Sequence, residues 1–253
     1  MRHPGFNKVL VNSSFFHTGD PRRNQLLAAL PEAEWSRWQP LLVPVVLPLG
    51  QVLCKPGAAP AYVYFPTTAI VSLLHATEDG LSTEIAVIGH DGMVGIALFM
   101  GGSFMPGEAS VQSAGLGFRL SARAMLNEFE RGGAVLSLLL RYTQTLIEQV
   151  ALTAACNRHH SIDQQLCRRL LLGLDRSQSD ELLMTQELLA SLLGVRRESV
   201  TTAALKLQQA GVIRYRRGHI DVLDRPQLEQ RACECYAVTK KTFHGRPAVQ
   251  AVG

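Results

Sequence analysis

One glycine interrupts an otherwise regular amphipathic pattern in the stretch TQELLASLLGVRRESVTTAALKLQQAG, residues 185–211. Thr185 is of a residue type that caps helix N-termini, so a first helix is expected to begin there. Gly194 marks its end, because glycine tolerates the left-handed backbone conformation that closes many helices. A second helix is expected after Arg196, and its apolar face consists of Val200, Ala203, Ala204 and Leu207. The stretch therefore predicts two short helices joined by a tight turn.

The spacing of small and apolar residues around this turn is typical of a helix-turn-helix, whose second helix enters the DNA major groove. Ala190 leaves room for the second helix to cross close over the first. An ordinary helical hairpin is the alternative. However, the start of the second helix is polar, and arginine and glutamate there can pair with guanine and cytosine. The candidate DNA contacts in this stretch are Thr185, Arg196, Arg197, Glu198, Ser199, Thr201, Thr202 and Lys206.

After Gly211 the sequence VIRYRRGHIDVLD predicts two short strands joined around Arg217-Gly218, a β-hairpin of the kind called a wing. Arg216 and Arg217 would lie beside the phosphate backbone and supply affinity rather than sequence choice. Residues 196–219 hold six basic residues and one acidic residue, a net charge of +5, whereas the whole chain has a net charge of +4. Such a local focus of positive charge is expected for a protein that binds nucleic acid.

The N-terminal half of the chain has a different pattern. Between residues 42 and 120, short β-rich runs alternate with turn residues, which predicts about eight strands in a sandwich or barrel. A short helical pattern precedes them from Gln25 to Leu41, and Ser121 can cap a helix that Gly132-Gly133 ends. The chain is therefore expected to contain a β domain, a long connecting helix and a small C-terminal helical domain.

The connecting helix is predicted by a stretch without Pro or Gly from Ala134 to about Cys156, in which apolar residues recur in alternating steps of four and three. This periodicity is typical of a coiled-coil seam of about three heptads that pairs with a second copy of the chain. Packing of the helix on the β domain is the alternative interpretation. The predicted seam consists of Val135, Leu139, Tyr142, Leu146, Val150 and Thr153.

Composition and cysteine content exclude several classes of protein. With 253 residues, 47 % of them hydrophobic, the chain can form packed cores, and no apolar run approaches the ~18 residues of a membrane span. Polar Asn12 to Ser14 lie where a signal peptide needs an unbroken apolar stretch, so we expect a cytoplasmic protein. Five cysteines, an odd number, do not form a disulfide framework, which fits a reducing compartment.

The sequence LLGVRRESVTTAALKLQQAGVIRYRRGHIDVL resembles the winged helix-turn-helix of the Crp/Fnr family of bacterial transcription regulators, and the resemblance covers nearly all of residues 40–225. It implies an α+β fold with an N-terminal β jelly roll like a cyclic-nucleotide-binding domain, a long dimerisation helix and a C-terminal winged helix-turn-helix. It also implies that Arg197 and Glu198 read base edges and that Thr201 and Thr202 lie close to the DNA. The family often has an arginine where this chain has Thr202. We therefore do not expect this chain to prefer the same operator sequence as the family members that have the arginine.

The resemblance divides the chain into five segments. Residues 1–23 are expected to form a flexible tail, 24–133 a jelly-roll sensor domain with flanking helices, 134–160 the dimerisation helix and hinge, 161–230 the DNA-binding domain and 231–253 a C-terminal tail. We expect a homodimeric, sequence-specific regulator that reads a pseudo-palindromic site with the helix beginning near Arg196. Its expected partners are double-stranded DNA, a second copy of the chain, RNA polymerase if it activates transcription, and an unidentified small-molecule effector.

The sensor half departs from those members of the family that bind cyclic AMP. They have a Gly-Glu step that holds the ribose and an Arg-Ser/Thr-Ala step that holds the cyclic phosphate, where this chain has Gly95-Ile96 and Glu108-Ala109-Ser110. An acid in place of the phosphate-binding arginine would repel the ligand, so we expect that cyclic AMP is not bound in the usual way. Val150-Ala151 lies where such members place adenine-binding hydroxyls. The candidate effector pocket is Gly95, Ile96, Glu108, Ala109, Ser110 and Val150.

Metal and cofactor chemistry has weaker support in the sequence. Residues 1–50 contain no cysteine, so the N-terminal ligands of an iron–sulfur regulator are absent there. Thiolate and imidazole suit zinc, and candidate ligands occur in the stretches Cys156-Asn157-Arg158-His159-His160 and Cys233-Glu234-Cys235. Each stretch would need two more ligands from elsewhere in the chain, and we identify none in the sequence. We therefore expect no metal and no cofactor.

Two other classes of protein fit the sequence less well. A small-molecule sensor that acts mainly through protein contacts has no need of the focused positive charge. An enzyme built on the β domain would require metal ligands inside it, and its strands offer only His75 and Glu84. The sequence His90-Asp91-Gly92 resembles a catalytic motif, but Asp-Gly is typical of a turn, and we expect a turn between two strands there. Since no nucleophile, base and orienting group can be assembled, we expect no enzymatic activity.

Overall fold

A computed structural model describes residues 19–78, 81–101, 107–177 and 179–244 of the chain. Most of the predicted N-terminal tail lies outside the described residues, and within its described part Pro21–Arg23 forms one turn of 3-10 helix. None of the described helices is both long enough and apolar enough to cross a membrane.

The N-terminal half forms the expected β domain, with seven strands in the described part of the chain rather than about eight. They are β1 Val43–Leu47, β2 Val52–Cys54, β3 Tyr62–Pro66, β4 Ile70–Ala76, β5 Ser82–Ile88, β6 Glu108–Ser113 and β7 Gly115–Ser121. The strands pair in two antiparallel sheets, in the orders β1-β7-β3 and β2-β6-β4-β5. Side chains alternate along each strand, so Val63 and Phe65 of β3 are buried while Tyr62 and Tyr64 are half-buried.

Three helices flank these sheets, namely α1 Gln25–Ala28, α2 Glu32–Trp38 and α3 Ala122–Arg131. Pro31 precedes α2, and the single helical pattern expected from residue 25 to 41 is divided there into two. Ser121 caps α3 as predicted, since its Oγ accepts a hydrogen bond from the Ala124 amide at 3.3 Å. Gly132, with φ of 74°, ends α3 in a conformation that other residues resist.

The long helix α4 spans Gly133–His159, close to its predicted bounds. All six predicted seam residues face the chain's own β domain or helices. Four of them are buried in its apolar clusters, and Val150 is half-buried against one of these clusters. Thr153 is also buried, and its hydroxyl donates to the Gln149 carbonyl at 2.8 Å. The buried four are Val135, Leu139, Tyr142 and Leu146. Their burial within one chain contradicts the prediction that they form a dimer seam and agrees with the alternative of packing on the β domain.

Tyr142 shows why this face of α4 is fixed to the β domain. Its hydroxyl donates to the Met93 carbonyl at 2.7 Å, and burial raises the pKa of this phenol well above its usual range. A Cβ on Gly92 would lie 2.6 Å from the Tyr142 hydroxyl, so only glycine permits so close an approach. The sequence HDG was expected to supply a turn, and its glycine also makes room for α4.

A different stripe of α4 is exposed to solvent. Its residues recur in alternating steps of three and four, and they are Ser137, Leu140, Gln144, Ile147, Ala151 and Ala154. Leu140 and Ile147 expose 53 % and 51 % of their surface, although both are large apolar side chains on one helix face. We call these six residues the exposed stripe of α4. Because both faces follow the same heptad spacing, periodicity alone did not distinguish them.

The C-terminal half contains α5 Ile162–Leu174, β8 Glu181–Leu183, α6 Gln186–Leu193, α7 Arg197–Gln209, β9 Ile213–Arg216, β10 His219–Val222, α8 Arg225–Arg231 and α9 Glu234–His244. The three strands form one antiparallel sheet in the order β8-β10-β9. The predicted C-terminal tail is wrong over the described residues, because α9 lies there and packs against the end of α4. Residues 245–253 lie outside the described part.

The two halves of the chain share an apolar core and two buried ion pairs. Ile70 and Val87 of the β domain belong to the same apolar cluster as the core of the C-terminal half. Arg169 of α5 lies 2.6 Å from a Glu84 carboxylate oxygen of β5. Arg176, just after α5, lies 2.6 Å from Asp91, whose carboxylate also accepts from the Gly89 amide at 2.9 Å. These contacts hold the C-terminal half against the β domain.

Candidate nucleic-acid interface

The first helix of the predicted helix-turn-helix begins and ends where its sequence indicates. The Thr185 hydroxyl oxygen accepts a hydrogen bond from the Leu188 amide at 3.1 Å, which caps α6. Gly194 has φ of 64° and ψ of 35°, the left-handed conformation expected for a helix-closing glycine. The Val195 amide then donates to the Ala190 carbonyl at 3.0 Å and turns the chain toward α7. The local features of the helix-turn-helix are therefore confirmed.

Gly194 is also required for a contact that the sequence did not indicate. A Cβ at this position would lie 2.5 Å from the Thr83 hydroxyl of β5, which is closer than real Cβ atoms approach other atoms. Beside it, the Ser191 and Ser82 hydroxyls lie 2.8 Å apart. The end of α6 therefore packs directly on β5 of the β domain, next to the buried Glu84.

The start of α7 is open to solvent. Arg196, Arg197 and Glu198 are all exposed, and together they provide donors and acceptors that match base edges. The Arg197 guanidinium lies 3.9 Å from the carboxylate of Glu187, but both side chains are mostly exposed and this ion pair is weak. These three side chains therefore form an exposed, polar first turn of α7.

The hydroxyl groups farther along α7 are partly occupied by contacts within the domain. Thr201 is half-buried, and its hydroxyl lies 2.8 Å from the Gln186 amide oxygen and 3.0 Å from the Arg197 carbonyl. The Thr202 hydroxyl donates to the Glu198 carbonyl at 2.9 Å, and its side chain remains exposed. Ser199 is half-buried. Thr201 therefore orients the first turn of α7 against α6 and is less free for DNA than Thr202.

The wing lies beside the start of α6. Arg217 and Gly218 have φ of 38° and 89°, as a two-residue hairpin turn requires. The Met184 amide donates to the Gly218 carbonyl at 2.7 Å, and the Tyr215 hydroxyl donates to the Met184 carbonyl at 3.1 Å. These bonds hold the exposed Arg216 and Arg217 next to Thr185.

The predicted DNA contacts fall into one main group and one outlying residue. Hydrogen bonds and the weak ion pair described above link the wing, the start of α6 and the start of α7. Lys206 lies about two and a half turns beyond Arg197 along α7 and forms an ion pair with Asp163 of α5 at 2.7 Å. Sequence reasoning missed Gln186 and Glu187, which contact Thr201 and Arg197 from the first turn of α6. Their polar character at a helix start was the available signal.

The predicted effector-pocket residues do not all share one side of their strand. Ala109 is completely buried in the apolar cluster against which Ile96 and Val150 pack. Glu108 and Ser110, its neighbours in β6, are half-buried and point to the opposite face of the strand. Gly95 has φ of 108° and precedes a 3-10 turn at Ile96–Leu98. The apolar members of the set thus fill the domain core.

The cysteine and histidine residues set aside in the sequence come together in the structure. The ligand atoms of Cys156, His160, Cys233 and Cys235 all lie within 4.8 Å of one another. The expectation that neither short motif has partners elsewhere is therefore wrong, because residues 77 positions apart meet at the end of α4. His159 is exposed and does not belong to this group.

Comparison with known proteins identifies the C-terminal domain directly. Residues 164–231 match the Crp-like helix-turn-helix domain. No curated protein sequence matches the chain.

Solved structures share the fold of both halves. A putative transcriptional regulator of the Crp/Fnr family from Eubacterium rectale has a TM-score of 0.66 at 16 % identity, over 83 % of this chain and 98 % of that one. A CRP-family transcriptional regulator from Thermus thermophilus has a TM-score of 0.63 at 18 % identity, over 74 % and 96 %. The c-di-GMP-responsive global regulator CLP from Xanthomonas campestris has a TM-score of 0.61 at 16 % identity, over 76 % and 99 %.

At these identities the structural likeness concerns the fold. All three of these proteins are described as regulators and not as enzymes. The matched domain covers most of the C-terminal half, and the fold shared with the solved structures includes the β domain and the long helix. Residues 164–231 therefore form a Crp-like helix-turn-helix DNA-binding domain, in a chain that shares the fold of solved Crp/Fnr-family structures.

Proposed function

We propose that the protein is a homodimer that binds a pseudo-palindromic DNA site and reads its sequence with the first turn of α7. Each subunit places this turn in a major groove, and the two half-sites are separated by a whole number of helical turns of about 34 Å. The observation that carries the proposal is the exposed start of α7, where Arg196, Arg197 and Glu198 stand clear of other domains beside the arginines of the wing.

The division of labour follows from the chemistry of the two groups. Arg197 and Glu198 lie at the start of a helix that can enter the groove, so they read bases. Arg216 and Arg217 lie on a hairpin turn outside this helix, so they contact phosphates and contribute affinity that falls with salt. Fluorescence anisotropy with a symmetric duplex and a scrambled duplex of the same composition tests this. Equal affinity for both duplexes would contradict sequence-specific binding.

The second copy of the chain is proposed to pack against the exposed stripe of α4. Regulators with this fold typically act as dimers. The stripe presents Leu140 and Ile147 at heptad spacing, flanked by small Ala151 and Ala154, which permit close helix approach. The seam therefore lies on a different face of α4 from the one that the sequence pattern suggested.

Signals from the sensor half would reach the DNA-binding domain by changing the relative orientation of the two recognition helices. The contacts available to transmit such a shift are the ion pairs Arg169–Glu84 and Arg176–Asp91 and the packing of Gly194 on Thr83. Structures with and without the effector that superpose without movement of α7 would contradict this mechanism.

Cyclic AMP is proposed not to be bound in the usual way. Glu108 stands where the family resemblance places the phosphate-binding arginine, and Ala109 fills the apolar core. Isothermal titration calorimetry with cyclic AMP is expected to show no saturable heat, and saturable binding in the micromolar range would contradict this. For transcription activation, RNA polymerase would be a further partner.

A sensor whose output is a protein contact is the second candidate function. It accounts for the β domain, but it gives no role to the exposed arginines at the start of α7 and on the wing. If the duplexes above bind weakly and equally, co-purification from cells becomes the next experiment, and this candidate replaces the first.

A further inference from the structure

Three thiols and one imidazole converge at the junction of α4 and α9. Cys156 lies in the last turn of α4, His160 is the residue that ends this helix, and Cys233 and Cys235 flank the start of α9. The sulfur atoms of Cys156 and Cys233 are 3.5 Å apart, and the Cys235 sulfur lies 3.7 Å from His160 Nδ1. We propose that these four side chains bind a structural zinc ion.

The spacing of the four ligand atoms fits tetrahedral zinc. With zinc–sulfur bonds of about 2.3 Å and zinc–nitrogen bonds of about 2.0 Å, two sulfur ligands lie roughly 3.8 Å apart and a sulfur–nitrogen pair roughly 3.6 Å apart. The two measured separations lie close to these values, and all four atoms lie within 4.8 Å of one another. A small contraction around an ion would complete the site. The donor set of three thiolates and one histidine is one that structural zinc sites use.

The residues around the ligands hold them in position. His160 Nε2 lies 3.1 Å from a Glu234 carboxylate oxygen, which orients the ring so that Nδ1 faces the three sulfur atoms. This is the carboxylate–histidine arrangement that supports metal-bound imidazoles. The Gln165 side-chain amide donates to the His160 carbonyl at 2.9 Å and fixes the backbone. The Thr239 hydroxyl donates to the Cys235 carbonyl at 2.7 Å.

The electrostatic setting also suits a metal with three thiolates. Burial raises the pKa of the Cys156 thiol to about 12, so without a metal this cysteine holds its proton. Burial also raises the pKa of the Cys235 thiol, and the positive charge of the buried Arg168 nearby partly opposes both shifts and suits a site with a net charge of −1. On binding, Zn²⁺ takes the place of the three thiol protons, which are released to solvent.

The zinc ion would join α9 to the end of α4 at the hinge before α5. Cys156 lies in α4 and His160 directly follows this helix, while Cys233 and Cys235 follow the matched helix-turn-helix domain. The site therefore closes the C-terminal half onto the hinge. This role does not depend on the DNA sequence that the protein reads.

Metal analysis of the purified full-length protein tests the proposal. The protein is prepared with reductant and without added metal, and zinc is measured by inductively coupled plasma mass spectrometry after gel filtration. We expect close to one zinc ion per chain in the wild type and almost none in Cys235→Ala and His160→Ala. The matched controls Cys54→Ala and His159→Ala change residues outside the cluster and should retain the wild-type zinc content.

A second measurement does not depend on whether the variants fold. Wild-type protein stripped of metal is titrated with Co²⁺, and the expected spectrum has thiolate-to-cobalt charge transfer together with the intense visible bands of tetrahedral cobalt. Added zinc should displace these bands. A wild-type protein that is isolated without metal and gives no such spectrum would overturn the proposal. A disulfide between Cys156 and Cys233 in the reduced preparation, seen by mass spectrometry, would also overturn it.

Discussion

The Arg169 guanidinium of α5 and the Glu84 carboxylate of β5 lie 2.6 Å apart, and both side chains are almost completely buried. Arg169 also donates to Glu84 at 3.0 Å and to the side-chain oxygen of Gln112. A buried charge is tolerated only with such partners, since removing one partner leaves the other charge without compensation. This pair therefore couples the packing of the helix-turn-helix domain to that of the β domain.

Replacing one member of this pair should destabilise the whole chain. Glu84→Gln leaves the Arg169 charge buried without its counter-ion, so we expect a loss of about 3–5 kcal/mol in the free energy of unfolding, measured by urea denaturation. Glu32→Gln is the control, because Glu32 is 75 % exposed in its ion pair with Arg22 and should cost less than about 1 kcal/mol. The double variant Glu84→Leu/Arg169→Met should recover most of the loss. Equal effects of Glu84→Gln and Glu32→Gln would contradict the argument.

Gly194 should be more sensitive to substitution than another glycine of the same domain. Gly211 has φ of 70° and open space where a Cβ would lie. Gly211→Ala should therefore lower the free energy of unfolding only by the cost of the left-handed conformation, about 1–2 kcal/mol. Gly194→Ala has the same cost and also places its Cβ against the Thr83 hydroxyl. We expect a larger loss of unfolding free energy for Gly194→Ala, and Thr83→Ala should reduce the difference. If Gly194→Ala and Gly211→Ala cost the same, α6 does not rest on β5 as described.

Charge on the exposed stripe of α4 should separate the subunits. Leu140→Glu/Ile147→Glu places two carboxylates on each helix of the proposed seam, where burial of the like charges is unfavourable. Sedimentation velocity should show a change from two chains to one, with the β domain still folded by circular dichroism. Leu49→Glu is the control, because Leu49 is 60 % exposed and lies outside α4. A double variant that stays dimeric would mean that the subunits pair through another surface.

The arginines of α7 and of the wing should have different effects on DNA binding. Arg197→Ala should lose about 1–3 kcal/mol of discrimination at one base position of each half-site. Arg217→Ala should weaken binding to all sequences similarly and reduce the slope of log affinity against log salt by about one. Binding of base-substituted duplexes at several salt concentrations separates these outcomes. Unchanged base preference in Arg197→Ala would show that another residue reads that position.

Local features of the fold were predictable because short-range chemistry determines them. Ser121 and Thr185 cap helices through their own hydroxyls, and Gly194 ends α6 through its own backbone conformation. The helix-turn-helix and its wing follow from such signals. Arg196, Arg197 and Glu198 are exposed at the start of α7, and their role in DNA binding stays a prediction.

Features that depend on distant residues were not predictable. The heptad pattern of α4 gave no means of telling the face that packs on the β domain from the exposed stripe, since both follow the same spacing. Glu84 and Arg169 are 85 positions apart, and neither sequence segment indicated that the two side chains would pair. Cys156 and Cys233 meet only because α9 folds back onto the end of α4, where a tail was expected.

The central claim is that this chain selects DNA by sequence as a symmetric dimer. Selection from a randomised duplex pool by the purified wild-type protein, at two salt concentrations and with the recovered sites sequenced, tests it most directly. We predict a two-fold symmetric consensus whose half-sites lie a whole number of helical turns apart, retained at the higher salt concentration although binding is weaker. Recovery of weakly bound sequences without any consensus at either salt concentration would contradict the account.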